Sequence, residues 1–550
     1  MAKDQTRRRQ DERVADALMR AEAAGRRGDN QTALAILLQA VRADPEVAPL
    51  YPPLARRLAS MRFSEANAGV AEAIELAIRA PWIEPQPLAL AAITAMKARH
   101  RIVEDAAVNV TPAMASDPLL LALLERVLLP DAAVEAMLTA VRRNLLDDRT
   151  EAPPADVARF MIALARQALL NGWMWVATAA ETAAVARLAN DLAAADRFAP
   201  AHVVYALYRP LADLPGVAAL AGRAKAPWRE AARVLVDEPL EERRLASSLP
   251  RLGFRPNAAT EVVKAQYEAY PYPRWAGAAR RQPRPIREVA AALFPAAALP
   301  DWPAHRLDVL IAGCGTGKHA ADVASRFKEA HILAVDLSAA ALGYAARALK
   351  KTRDMTFAQA DIMALGDVER RFDHIESVGV LHHLADPLAG WRILTGLLKP
   401  GGSMRVGFYS KRGRSRIAAA RTALRAAGFD GLSDADLRAA RAHALAAPEG
   451  DPARLAAGEM DFYAASGARD FLFHVNEFEY APGELAEMVE ALGLRVLGLE
   501  LTDPEAARRY RAAFPDDPAM ADLRRWDAIE AEAPDTFRHM CQFWVVGPDS

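Results

Sequence analysis

Cysteine is nearly absent from this 550-residue chain, which holds two, Cys314 and Cys541. Two thiols cannot build a disulfide scaffold or ligate an iron–sulfur cluster, which excludes cluster-dependent radical chemistry. Long apolar runs are missing too. The longest, such as Leu119 to Leu124, stop far short of the roughly 20 residues a membrane-spanning helix needs. The opening MAKDQTRRRQDERV lacks the apolar stretch of a secretory leader, so a cytoplasmic location without membrane contact is expected. Neither charge sign dominates. With 69 basic and 70 acidic residues the net charge is −1, and no global field favours nucleic acid or an anionic lipid surface. HExxH, CxxC and clustered carboxylates do not occur, so no metal site is expected. What is present, 52% hydrophobic and 25% charged residues, describes a globular chain long enough for two or three domains.

Helical periodicity fills roughly the first 245 residues, which are rich in Ala, Leu and Arg and show no strand pattern. Residues 14 to 47 resemble a tetratricopeptide repeat. Ala21, Gly28, Ala33 and Ala40 stand where small residues let two helices cross closely, and Pro45 stands where the second helix ends. A second repeat begins with Tyr51, Leu54 and Ala55 in phase and then blurs. The stretch reads as an abbreviated array. It is either a structural helical domain or a groove for a protein partner.

A different pattern begins at DVLIAGCGTG, residues Asp308 to Gly317. An apolar strand runs into glycines that permit a sharp turn and close backbone approach to a ligand. A dinucleotide fingerprint would put its third glycine at position 318, but Lys stands there and the third glycine is Gly317. HILAVDLS then ends a second buried strand in Asp336, about 20 residues on, where a carboxylate can accept from ribose hydroxyls. MTFAQADI ends a third in Asp361, and FDHIESVGVLHHLADP ends a fourth at His382 and His383. LKPGG, Leu398 to Gly402, turns the chain into the strand SMRVGFY. Open α/β sheets bind ligands at these carboxyl ends.

From Leu307 to Phe408 the chain resembles the class I methyltransferases that use S-adenosylmethionine (SAM). The resemblance implies a Rossmann-like α/β domain with a seven-stranded sheet closed by two further strands, the last antiparallel; LRVLGLEL (from Leu494) and CQFWVVGP (from Cys541) fit those two places. It implies a cofactor site at Gly313, Cys314, Gly315, Thr316, Gly317, Asp336, Leu337, Asp361, Ile362 and Val380. Catalytic candidates are His383, His382 and Tyr267, with His383 leading because the end of the fourth strand faces the methyl group in this fold. SAM carries an activated methyl, so orientation, worth about 7–11 kcal/mol, should outweigh a general base worth about 10²–10⁴-fold.

Three segments complete the expectation: 1–250 helical, 251–300 a linker and lid, and 301–550 the catalytic domain with a substrate-recognition insertion at 410–485. In QYEAYPYPRW the X-Pro bonds hold the preceding tyrosines extended. This stretch serves either as a lid over the methionine end of SAM or as a clasp between domains. Tyr272, Arg274, Trp275, Tyr409 and His474 are the substrate-binding candidates. The basic run Lys411 to Arg416 could receive an anion or simply be solvated. The chain lacks the (D/N/S)PP(Y/F) motif and Pro-Cys of nucleic-acid methyltransferases and the paired-glutamate loop of arginine methyltransferases. That leaves a small-molecule or a protein acceptor. LHHLADP and LKPGG resemble the small-molecule branch of the family, which implies a small-molecule acceptor first, a protein delivered by the helical domain second and a non-catalytic SAM-binding scaffold third.

Overall fold

A computed structural model describes residues 2–102, 111–148, 151–253, 258–304 and 306–547, with the side chains of residues 2–9 and 259 left aside. The chain forms two compact units. The first comprises Met1–Pro239, Trp275–Arg280 and Ala457–Ala465, and the second Leu240–Arg274, Arg281–Ala456 and Ser466–Ser550. The segment 251–300, expected to be a linker and lid, falls in both units. Its Trp275–Arg280 stretch belongs to the first unit and its remainder to the second. Among the described residues no helix is long and apolar enough to cross a membrane.

Helices alone make up the described part of the first unit. Ala2–Arg26 and Asn30–Ala43 pack together, burying Ala21, Ala24, Ala33, Leu37 and Val41. Gly28, with a positive φ of 80°, makes the turn between them, and Asp29 caps the second helix by accepting from the Thr32 N–H at 3.0 Å. The helices Tyr51–Ala59 and Ala68–Arg79 follow, with Tyr51 and Leu54 buried. Trp175 is buried here as well, with the Arg142 guanidinium 6.0 Å from its ring.

The second unit is built on β2 (Leu307–Ala312), β3 (Ala330–Asp336), β4 (Met355–Ala360), β5 (Phe372–Val378), β6 (Leu398–Phe408), β7 (Arg495–Leu499) and β8 (Cys541–Val546). Along β2, Leu310 and Ala312 face one core cluster while Val309 and Ile311 face the other. That alternation explains the unbroken apolar run, because a parallel strand covered on both faces has no polar side. The sheet has eight strands, not the expected seven. A two-residue strand, β1 (Arg251–Leu252), pairs parallel with β4 and gives the order β1-β4-β3-β2-β5-β6-β8-β7. The extra strand comes from the chain entering the unit, where Arg251 lies opposite Gln359 and Leu252 opposite Ala360. β8 runs antiparallel to both β6 and β7. LKPGG is taken into β6 rather than standing before it, with an irregular register between Phe372 and His374. Pro548, the last residue of the expected final strand, lies outside the described residues.

Four helices matter for the site: α1 (Ala258–Ala269), α2 (Lys318–Arg326) after β2, α3 (Ala339–Ala348) after β3, and α4 (Ala465–Phe473) in the insertion between β6 and β7.

Candidate active site

Gly313, Gly315 and Gly317 all adopt left-handed backbone conformations, with φ of 84°, 51° and 84°. A side chain at Gly313 would strike Val380, and one at Gly315 would lie 2.5 Å from the Tyr272 carbonyl. Only glycine fits this turn. Its rim is fixed from both sides. The N–H groups of Gly313 and Cys314 donate to the Val335 carbonyl at 2.9 Å, and Gly317 N–H donates to the Cys314 carbonyl at 2.9 Å. Cys314 is buried, which pushes its thiol well above the ordinary range. Thr316 donates through its N–H to the Tyr272 carbonyl at 3.2 Å and through its hydroxyl to the Pro273 carbonyl. The Tyr272–Pro273 backbone therefore lies directly on the glycine turn.

Asp336 ends β3 and braces the turn, its carboxylate accepting from Gly315 N–H at 2.7 Å and Ser338 N–H at 2.9 Å. Burial holds this carboxyl above its ordinary range, against those donors, and the Glu268 charge adds to the rise. The Leu337 carbonyl accepts from the Gln359 amide at 3.0 Å. At the end of β4, Asp361 Oδ1 accepts from Met363 N–H at 2.9 Å. Its Oδ2 is buried without a partner, and Ile362 beside it is buried. An orphaned carboxylate oxygen is costly unless a ligand donor completes it. An adenine amino group would supply that donor, and ribose hydroxyls would have the remaining lone pairs of Asp336 to use. The residues present thus fit SAM.

Beyond β5 lies a second cluster. His382 and His383 form a short 3-10 turn with Leu381 and are buried. His383 Nδ1 donates to the Asn476 carbonyl at 2.9 Å, which leaves Nε2 with its lone pair. The Asn476 N–H donates to His474 Nδ1 at 3.0 Å, so the neutral His474 ring carries its proton on Nε2. That proton faces the Tyr267 hydroxyl oxygen at 3.1 Å, and the hydroxyl donates to Asp470 Oδ1 at 2.7 Å. Tyr267 comes from α1 and is half-buried, whereas Asp470 on α4 and His474 just after it are buried. Tyr409 packs against His382 with ring centroids 4.0 Å apart.

Burial sets the protonation of this cluster. It drives His382 well below the ordinary imidazole range, His383 down to about 4 and His474 down to about 2. The same desolvation lifts Asp470 to about 6 and keeps the Tyr267 phenol protonated.

His383, Asp470 and His474 each bring one ligand atom within 4.8 Å of the others. As they stand they do not converge on an ion. The two imidazoles stack at 3.8 Å and 24°, so their in-plane lone pairs run side by side rather than meeting about 2.0–2.1 Å from one metal. His474 has no free lone pair, because Nδ1 accepts from a backbone N–H.

Most sequence-expected residues gather here. Gly313 to Gly317, Asp336, Asp361, Ile362 and Val380 form the cradle, and Tyr267, His382, His383, Tyr409 and His474 form the second cluster. Arg274 is half-buried at the end of its stretch of the second unit, and Trp275 belongs to the first unit. Lys411, Arg412 and Arg414 of the basic run each pair with a carboxylate, on Glu484, Asp527 and Glu477 respectively. Asp470 and Asn476 were missed. Asp470 lies 203 positions from Tyr267, and no local spacing announces the pair.

Residues 309–402 match a family described as "Methyltransferase domain". An uncharacterized Synechococcus sp. protein, syc1184_c, is 30% identical over 270 residues, covering 45% of this chain and 62% of that protein. The chain thus spans about three fifths of the length of the relative it matches. Among solved structures, PKMT2 from Rickettsia typhi in complex with AdoHcy is 18% identical over 48% of this chain and 52% of its own, with a TM-score of 0.37. The Haemonchus contortus phosphoethanolamine N-methyltransferase 2 in complex with SAM is 17% identical over 53% and 56%, with a TM-score of 0.26. Neither likeness bears on the acceptor. Residues 309–402 thus match a methyltransferase domain.

Proposed function

We propose that the protein transfers the methyl group of SAM to a small molecule. Tyr267 carries this reading. Its carbonyl accepts from the Ser338 hydroxyl at 3.0 Å, two residues beyond Asp336, while its phenol reaches Asp470 and His474. One residue thus joins the glycine–acid cradle to a buried cluster of imidazoles, a phenol and a carboxylate. SAM supplies a methyl already activated on a sulfonium. The chain's own work is to hold the cofactor with the glycine turn, Asp336 and Asp361, and to place the acceptor against His383 and Tyr267. Burial of His383, Asp470 and His474 favours a compact acceptor over a folded polypeptide surface.

The test incubates the full chain with methyl-labelled SAM and a bacterial lysate split into small-molecule and macromolecular fractions, with Asp336→Ala beside it. Label in small molecules, lost in Asp336→Ala, is the expected result. Label confined to a protein band would reassign the acceptor and make the helical unit a delivery module.

A further inference from the structure

The proton released by the acceptor needs a destination, and His383 is a poor one. Its ring is pulled down to about 4, so it binds a proton weakly at neutral pH. Only one group in the cluster titrates close to neutrality, the Asp470 carboxyl at about 6. It is reached through hydrogen bonds already in place: His474 Nε2–H to the Tyr267 oxygen at 3.1 Å, and the Tyr267 hydroxyl to Asp470 Oδ1 at 2.7 Å. The His474 Nε2–H takes one lone pair of the Tyr267 oxygen, and the other can accept from an incoming donor.

On the methyltransferase reading above, we propose that the site methylates a hydroxyl of a small, neutral molecule, and that the hydroxyl proton leaves through Tyr267 to Asp470. As the acceptor oxygen forms its bond to the methyl carbon, the carbon–sulfur bond breaks and its electron pair stays on the sulfur. The hydroxyl proton passes to the Tyr267 oxygen while the Tyr267 proton passes to Asp470. Tyr267 ends unchanged, Asp470 ends as the neutral acid, and the positive charge of the sulfonium is cancelled. The His474 Nε2–H steadies the tyrosine oxygen while the protons move.

An ammonium acceptor fits less well. Desolvation that keeps three neighbouring imidazoles uncharged opposes a buried ammonium in the same way. The charges of Arg414 and Arg421 also oppose protonation of His383, and that of Arg421 opposes protonation of His474. Glu477 acts the other way on His383 and helps lift Asp470. A hydroxyl enters without charge and avoids the penalty. Tyr267 is the residue that touches the acceptor, and Asp470 acts through it.

The test reads the carboxyl directly. Full-length protein carrying aspartate labelled with ¹³C at the side-chain carboxyl is titrated by NMR, the Asp470 signal being the one lost in Asp470→Asn. A midpoint near 6 that moves upward in Tyr267→Phe, where the donated hydrogen bond is gone, is expected. A midpoint near 4, or one indifferent to Tyr267→Phe, overturns the relay. Calorimetry with SAM on the same proteins separates the two readings. Retained SAM affinity in both variants is expected, whereas wild-type protein that fails to bind SAM sinks the methyltransferase reading itself. In the labelling assay, transfer should fall about 10²–10⁴-fold in Asp470→Asn, and wild-type transfer about tenfold between pH 7 and pH 5. An O-methyl product supports the acceptor class. An N-methylated product, label confined to protein, or no labelled small molecule overturns it.

Discussion

Asn476 grips His383 from both sides. Its backbone carbonyl accepts from His383 Nδ1 at 2.9 Å, and its side-chain amide donates to the His383 carbonyl at 3.0 Å and to the Leu384 carbonyl at 2.9 Å. One residue thus sets both the tautomer of the ring and the path of the turn that carries it. Asn476→Ala keeps the backbone contact and removes the two amide donors, leaving buried carbonyls unsatisfied at a cost of about 1–3 kcal/mol. Methyl transfer should fall about 10²-fold through misplacement of the ring, with SAM affinity unchanged. Single-turnover kinetics beside calorimetry would separate the two. Equal losses in both would show Asn476 to be part of the cofactor site instead.

His383→Ala should slow turnover and leave SAM binding intact, because no cofactor-cradle contact passes through its ring. A loss of SAM affinity by calorimetry would move His383 into the cradle.

Asp336 braces Gly315 and Ser338, and on the proposed function it also offers lone pairs to a ribose. Asp336→Ala removes two backbone partners 2.7 and 2.9 Å away and leaves their N–H groups unpaired beside the glycine turn. With charge-assisted bonds worth about 1.5–3 kcal/mol each, SAM affinity should drop by at least about 10²-fold. Isothermal titration of the variant with SAM checks this, and an unchanged dissociation constant would sink the cradle assignment.

Gly317→Ala meets two obstacles. Its φ of 84° is unfavourable for any residue with a Cβ, and that Cβ would lie 2.8 Å from the Ala345 Cβ on α3. Movement of α3 away from the turn would also shift Ser338, which caps that helix. A lower melting temperature together with weakened SAM binding is expected. Wild-type values for both would mean that the turn tolerates a Cβ.

The cradle was legible because its parts lie close in sequence and each obeys a local rule. Val309 to Ala312 read as a strand buried on both faces, Gly313 to Gly317 as a turn only glycine can make, and Asp336 and Asp361 as acids closing the next two strands. The contact of Tyr267 with Asp470 was not, because one comes from α1, between β1 and β2, and the other from α4 in the insertion, 203 positions on. Tertiary packing alone brings them together. β1 escaped notice for another reason. Two residues, Arg251 and Leu252, are too short for period-2 alternation to show.

Glu376 is a carboxylate buried inside β5. It is fully buried on the strand, with Arg326 and Arg405 paired to it and His319 and His374 beside it. The positive charges of Arg326 and Arg405 and the His319 contact hold its carboxyl well below the usual range, against the burial that would raise it. A carboxyl lowered on folding contributes stability that is fully present above its unfolded value of 4.5 and is lost as pH falls through the folded value. Glu376→Gln should therefore cost about 1–3 kcal/mol at pH 7, because it removes the carboxylate shared by Arg326 and Arg405 and leaves them only Asp322 and Glu500 as ionic partners. The difference between variant and wild type should hold steady above pH 5 and narrow only at more acid pH. Urea melts at a series of pH values check both points, and a constant difference down to pH 3 would mean that Glu376 contributes by shape rather than charge.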